Sequence, residues 1–95
     1  MVRIEVIANQ SVEDDIVEKF EHELPDLEYT ILPEVHGKGR NSHKNGNNIW
    51  PEENFLLFSY TDEENAKKIK ELVETVKNRF PREGISIFAA PACEI

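Results

Sequence analysis

Apolar residues repeat with two different periods along this chain of 95 residues, and the order in which the two periods alternate restricts the fold. Four segments have the pattern of β-strands: 2–8, 27–35, 54–60 and 85–89. Two segments have apolar residues at helical spacing: 12–24 and 66–80. The predicted order is therefore strand, helix, strand, strand, helix, strand, which is the order of the ferredoxin-like fold.

The starts of both helices carry capping signals of their own. Ser11 is followed three residues later by Asp14, and Thr61 is followed at the same spacing by Glu64. Each pair predicts a capping box, in which two side chains satisfy free backbone N–H groups of the first turn. Pro25 follows the last apolar residue of the first helix, so we expect that helix to end there.

The second strand contains a residue that limits its place in the sheet. Its alternation predicts that Leu27, Tyr29, Ile31 and Val35 point to the same side. Pro33 has no N–H group to donate to a neighbouring strand. We therefore expect this strand at an edge of the sheet, or with an irregular end.

These patterns predict a single α+β domain over residues 1–95, with a four-stranded antiparallel sheet and two helices on one of its faces. The other face also carries apolar side chains, which soluble proteins seldom leave exposed as one patch. The candidates for that face lie in strands with apolar residues on both sides: Ile7, Leu32, Leu56 or Leu57, and Ile87. The sequence therefore predicts a homo-oligomer.

A cationic segment interrupts the expected hairpin between the second and third strands. The chain has 11 Lys and Arg against 19 Asp and Glu, yet residues 36–50, HGKGRNSHKNGNNIW, contain Lys38, Arg40 and Lys44 and no acidic residue. Hairpin loops usually have two to five residues, and longer ones are commonly functional. Trp50, near the end of this segment, is expected to pack in a core or a subunit interface rather than against a ligand.

The start of this segment is a candidate anion site. Gly37 and Gly39 allow the backbone to present N–H groups to one point, while Lys38 and Arg40 supply charge. These four residues are the predicted ligand-binding residues. A solvated hairpin tip, whose charges serve only solubility, accounts for the same residues, so both interpretations stay open.

Three stretches of the sequence resemble the P-II-like (PII-like) signalling superfamily. They are PEVHGKGR at 33–40, IWPEEN at 49–54 and IFAAPACE at 87–94. The resemblance implies a homotrimer with its sheets facing a threefold axis, and a T-loop between the second and third strands. It also implies a site for a small anionic ligand, such as a nucleotide, at the base of that loop. In this chain Gly37, Gly39 and Arg40 match the glycine-rich base.

The same resemblance implies that the loop binds the regulated target, which would be a membrane transporter or an enzyme. The residues that would contact such a partner follow the loop base: Asn41, His43, Lys44, Asn45 and Gly46. The chain departs from the family at the second phosphate loop, where only the residues 81–84 are present, and in a shortened T-loop. The cofactor therefore stays open, with a nucleotide as one candidate.

The related CutA proteins share this fold and provide the alternative, a trimer that binds divalent metal ions. Glu34, His36 and His43 are the candidate ligands, although their spacing matches no zinc motif. No arrangement of a nucleophile with a base is visible, so the sequence predicts a binding protein rather than an enzyme.

The acidic composition argues against nucleic acid as a partner, because phosphate charge would be repelled. The chain has a single cysteine, Cys93, and neither an export signal nor a long apolar run. We therefore expect a cytoplasmic protein. The main prediction is a regulatory protein that senses a small ligand and signals through the loop at 36–50.

Overall fold

A computed structural model describes residues 1–38 and 52–95 of the chain. Within them, four strands and two helices follow one another in the predicted order. Their bounds are β1 Val2–Asn9, α1 Glu13–Glu23, β2 Thr30–Gly37, β3 Glu52–Thr61, α2 Glu63–Arg79 and β4 Ile85–Pro91, with a 3-10 helix at Gln10–Val12 before α1.

The four strands form one antiparallel sheet in the order β2-β3-β1-β4. β1 is an inner strand, with β3 on one side and β4 on the other, and β2 and β4 are the two edges. Both helices pack on one face of the sheet, which we call the helix-covered face; the other is called the open face. The predicted ferredoxin-like α+β fold is confirmed.

The core lies between the helices and the helix-covered face. It contains twelve residues that are at most 5% exposed: Ile4, Val6, Ala8, Val12, Ile16, Phe20, Phe55, Leu57, Ile69, Val73, Val76 and Ile85. The strand members alternate, so every second residue of β1 and β3 reaches this core. The helix members recur at three and four residues, which confirms the predicted apolar stripes.

Tyr29 connects α1 to the chain just before β2. Its ring lies edge-on to Phe20, with 5.8 Å between the ring centroids. Its hydroxyl donates a hydrogen bond of 2.7 Å to a carboxylate oxygen of Glu21. This bond, with a smaller contribution from burial, raises the pKa of Tyr29 to about 12, because the neutral phenol is the form that donates.

The second strand differs from its prediction in its bounds and in its regularity. It starts at Thr30 and has an irregularity between Leu32 and Val35. Glu34 within it has a φ of 56°, a conformation more common for glycine and asparagine. Between Leu32 and Val35 the strand β2 advances three residues while β3 advances two, so β2 contains one extra residue. As a result Val35 lies opposite Asn54 on the open face, and the expectation that it points the same way as Ile31 is wrong.

The position of this irregularity agrees with the expectation for Pro33. β2 is an edge strand, and Pro33 lies inside the irregular stretch. A residue without an N–H group is tolerated there, because no ladder hydrogen bond depends on it.

Both predicted capping boxes are wrong. At α2 the capping residue is Asp62, whose carboxylate accepts a 2.7 Å hydrogen bond from the N–H of Asn65. At the first helix the chain enters through the 3-10 helix, and Asn9 accepts from the N–H of Ser11. Val12 then precedes α1 without a side-chain cap.

No helix among the described residues is long and apolar enough to cross a membrane.

Candidate functional site

The described part of the predicted ligand site consists of Gly37 and Lys38. Gly37 is the last residue of β2 and pairs with Glu52 at the start of β3. A Cβ atom at Gly37 would lie 2.6 Å from Nδ2 of Asn54, so a larger residue here would require that side chain to move. Lys38 follows the strand and is exposed.

The backbone of Gly37 is extended within β2, and among the described non-glycine residues Glu34 has a positive φ. The role of Gly37 in presenting N–H groups to an anion stays a prediction. The other predicted ligand residues, Gly39 and Arg40, lie outside the described residues, as does Trp50. The same holds for the whole predicted partner-binding group: Asn41, His43, Lys44, Asn45 and Gly46.

Two of the three candidate metal ligands lie on β2, where Glu34 and His36 are both exposed. His36 pairs with Glu53 of β3, and the third candidate, His43, lies outside the described residues. Across 1–38 and 52–95, no three His, Cys, Asp or Glu side chains come together as a metal site would require. Cys93 is exposed, and its Sγ lies 3.7 Å from the carbonyl oxygen of Glu94.

The open face carries large apolar side chains that are exposed to solvent. Leu32, Tyr60 and Phe88 are 47%, 53% and 57% exposed, although all three are large and mainly apolar. The pairing of the strands resolves the ambiguity in the apolar run of β3, because Leu57 is buried and Leu56 therefore points to the open face. In β4 the large apolar residue that is exposed is Phe88, while Ile87 packs against the core.

Arg3 lies on the open face near the start of the inner strand β1, at the centre of a small cluster. Its Nε donates a 2.7 Å hydrogen bond to Oε2 of Glu5, and its Nη1 donates to the hydroxyl of Tyr60. The guanidinium carbon lies 4.4 Å from the ring centroid of Phe58 and 5.4 Å from that of Tyr60. We call Arg3, Glu5, Phe58 and Tyr60 the Arg3 cluster.

The contacts of the cluster favour the charged guanidinium. The hydrogen bond to Glu5 is the main reason that the pKa of Arg3 is raised above its usual value, and the bond to Tyr60 adds to it. Aromatic rings attract a cation placed over their faces. Arg3 is therefore a permanent positive charge on a surface that is otherwise largely apolar.

A cleft of about 820 Å³ opens at the end of the sheet opposite to Gly37. The start of β2, the end of β3 and the residues after β4 line it, including Tyr29, Ser59 and Glu94. Ser59 is only 2% exposed, and its hydroxyl donates a 2.7 Å hydrogen bond to the carbonyl oxygen of Glu28. Neither Gly37 nor Lys38, the two predicted ligand residues that the structure describes, borders this cleft.

The Arg3 cluster was not predicted from the sequence. Part of the signal was present, because Arg3 and Glu5 share one side of β1 by simple alternation. The matching side of β3 was ambiguous, since residues 55–58 are all apolar and no alternation marks a face. The structure resolves this by pairing Arg3 with Tyr60 and Glu5 with Phe58.

The fold is that of the PII-like signalling proteins. One similar structure is CPII, a nitrogen regulatory PII-like protein from Thiomonas intermedia K12, bound to ADP, AMP and bicarbonate. Its TM-score is 0.69 at 14% identity, over 99% of this chain and 94% of that one. Another is a protein of Thermus thermophilus assigned to the PII-like signalling proteins. Its TM-score is 0.62 at 22% identity, over 94% of this chain and 83% of that one.

The likeness is structural and does not extend to the level of sequence. No family model matches the sequence, and no curated protein is similar to it. The structural neighbours confirm the resemblance in fold that the sequence suggested.

Proposed function

We propose that this chain is a regulatory binding protein of the PII-like type, which senses a small anionic ligand and signals through the loop at 36–50. The observation that carries the proposal is the match in fold over 99% of the chain to a regulatory protein bound to ADP, AMP and bicarbonate. All three of those ligands are anions, which agrees with the cationic character of the loop in an otherwise acidic chain.

The ligand would bind at the base of the loop, through Gly37, Lys38, Gly39 and Arg40. Two features support this position. Lys38 is exposed directly after β2, so its ammonium group is available to an anion. An arginine two residues later adds a planar fork of donors, which suits a carboxylate, a bicarbonate or a phosphate.

The remainder of the loop, with Asn41, His43, Lys44, Asn45 and Gly46, would contact the regulated target, a transporter or an enzyme. The protein would act by binding and not by catalysis, in the cytoplasm, as a homotrimer. The trimer is supported by the open face, whose exposed Leu32 and Phe88 are large apolar residues that a second subunit would cover.

Calorimetric titration tests the ligand site. Wild-type protein is titrated with ADP, AMP, ATP and bicarbonate, and we expect a dissociation constant between about 1 μM and 1 mM for at least one of them. Arg40→Ala should weaken that binding about tenfold or more, because a hydrogen bond to a charged group contributes roughly 1.5–3 kcal/mol.

The matched control is Lys67→Ala, which removes one cation from the exposed side of α2 and should leave binding unchanged. Absence of binding by every anion at millimolar concentration would contradict the proposal, as would unchanged binding by Arg40→Ala. Titration with Zn²⁺ or Cu²⁺ distinguishes this function from the CutA-like alternative, which predicts binding of a divalent metal ion instead.

A further inference from the structure

Arg3 has hydrogen-bonding capacity that its own chain does not use. A guanidinium has five N–H groups in a planar fork. In this structure Nε donates to Glu5 and Nη1 donates to Tyr60, and the described residues offer no further acceptor. Three N–H groups of Arg3 are thus free to bind a group from outside the protomer.

These free donors face a surface that is suited to burial. Arg3 and Glu5 lie on an inner strand of the sheet, and their side chains are only 26% and 35% exposed. Leu32 and Phe88 extend the apolar surface from β2 on one edge to β4 on the other. Whatever covers this surface should supply acceptors to the remaining N–H groups of Arg3, because buried donors without acceptors are unfavourable.

The charges of the open face are complementary to a second copy of the same face. By strand alternation, β1 contributes one cation and one anion to it, Arg3 and Glu5, while β4 contributes none. Glu5 accepts from Arg3 through Oε2, and this leaves its other oxygen available. An acidic ligand or a nucleic acid would satisfy Arg3 but would bring negative charge towards Glu5. Another copy of the chain satisfies both groups.

We propose that the open face is covered by further copies of this chain, and that the guanidinium of Arg3 binds both its own Glu5 and Glu5 of a neighbouring copy. Repeated around a closed ring, this contact gives every Arg3 two carboxylates and every Glu5 two guanidinium groups. The Arg3 cluster then fixes how the subunits meet, while the apolar residues around it supply the buried area. The inference rests on the proposed homotrimer and names the contact that defines it.

Reversal of the charges, singly and together, tests the ring. Arg3→Glu places two anions on each open face, and Glu5→Arg places two cations there. Each single variant should sediment as a monomer, because the copies repel one another. The double variant Arg3→Glu/Glu5→Arg restores an opposite pair at every contact of the ring, so it should recover the mass of the wild-type oligomer in analytical ultracentrifugation.

Lys67→Glu is the matched control, because it makes the same change of charge as Arg3→Glu on the exposed side of α2. Its mass should equal that of wild type. Circular dichroism establishes that each variant is folded. If a reversed variant fails to fold, the milder Glu5→Gln removes the charge and keeps the shape, and it should weaken assembly at least tenfold on dilution.

The outcomes separate this inference from the proposed function. A monomeric wild type would overturn both the homotrimer and the ring. An oligomeric wild type whose single charge-reversal variants, or whose Glu5→Gln variant, assemble as before would overturn the ring and leave the homotrimer standing. Failure of the folded double variant to recover the oligomer would overturn pairing between copies. Titration of wild type with anions tests the loop site, and its result does not depend on the outcome of these assembly experiments.

Discussion

The two faces of the sheet are formed by the same strands, but they are completed in different ways. On the helix-covered face, Phe55 and Leu57 are fully buried beneath α1 and α2. On the open face, Phe88 is 57% exposed, and Arg3 occupies the space between aromatic rings. One face is thus buried within a single chain, while the other presents exposed apolar side chains together with an ion pair.

This difference separates what stabilises the protomer from what controls its association. Residues of the helix-covered face should contribute to the free energy of unfolding at any protein concentration. Residues of the open face should contribute chiefly through association, which depends on concentration by mass action. A phenylalanine can be tested on each face of the same sheet.

The largest effect is expected for Phe55→Ala. Loss of this buried ring should lower the free energy of unfolding by about 3–5 kcal/mol, because it removes apolar burial and leaves a cavity. Urea denaturation at several protein concentrations measures it. Phe88→Ala is the control, and its smaller effect should decrease further as the protein is diluted. Equal losses for the two variants would show that the faces do not differ as described.

A smaller effect is expected where the helix-covered face departs from its apolar character. Ser59 is buried there, and Ser59→Ala removes its hydrogen bond to Glu28. The free energy of unfolding should fall by about 0.5–1.5 kcal/mol, the usual net contribution of one such bond. Ser86→Ala, an exposed serine on the open face, should change it by less than about 0.5 kcal/mol. Thermal denaturation of both variants is sufficient, and a neutral Ser59→Ala would argue against the hydrogen bond.

The smallest effect concerns pH and the rim of the helix-covered face. Tyr29 has a pKa of about 12 in the folded protein, above the value of about 10 for a free tyrosine. Its hydrogen bond to Glu21 therefore stabilises the fold fully below pH 10, and this contribution is lost as the pH rises towards 12. Tyr29→Phe should remove that pH dependence, at a cost of about 0.5 kcal/mol at neutral pH.

The measurement is the free energy of unfolding as a function of pH, with Tyr60→Phe as the control. Tyr60 lies on the open face and does not contact Glu21, so its variant should keep the alkaline loss of stability. Identical pH profiles for wild type and Tyr29→Phe would rule out the assigned contact.

Much of the fold could be predicted from the sequence, because hydrophobic periodicity depends on burial and burial is what the fold maximises. The order of elements and the apolar stripes of both helices followed from it. The helix starts did not, since neighbouring residues compete for the same backbone donors. At α2, Thr61 has a glutamate three residues later, but Asp62 directly after it is the side chain that accepts from the first turn.

The irregularity in β2 and the site on the open face were harder to predict. Glutamate seldom adopts a positive φ, so nothing in the sequence indicated one at Glu34. The change of face at Val35, which follows from the irregularity there, could therefore not be predicted. The Arg3 cluster depends on which residue of β3 lies opposite β1, and register is a property of the folded sheet. The predicted ligand residues Gly39 and Arg40 remain a prediction.

The irregular stretch at Pro33 and Glu34 also protects the protein from misassembly. A free sheet edge is a template on which other chains can add strands, and such growth ends in aggregates. Along β2 that template is broken after Leu32, since Pro33 offers no N–H group and Glu34 bends the strand. The other edge strand, β4, continues without an irregularity to Pro91, so it is the edge at which aggregation by strand addition is expected if the protein is overproduced.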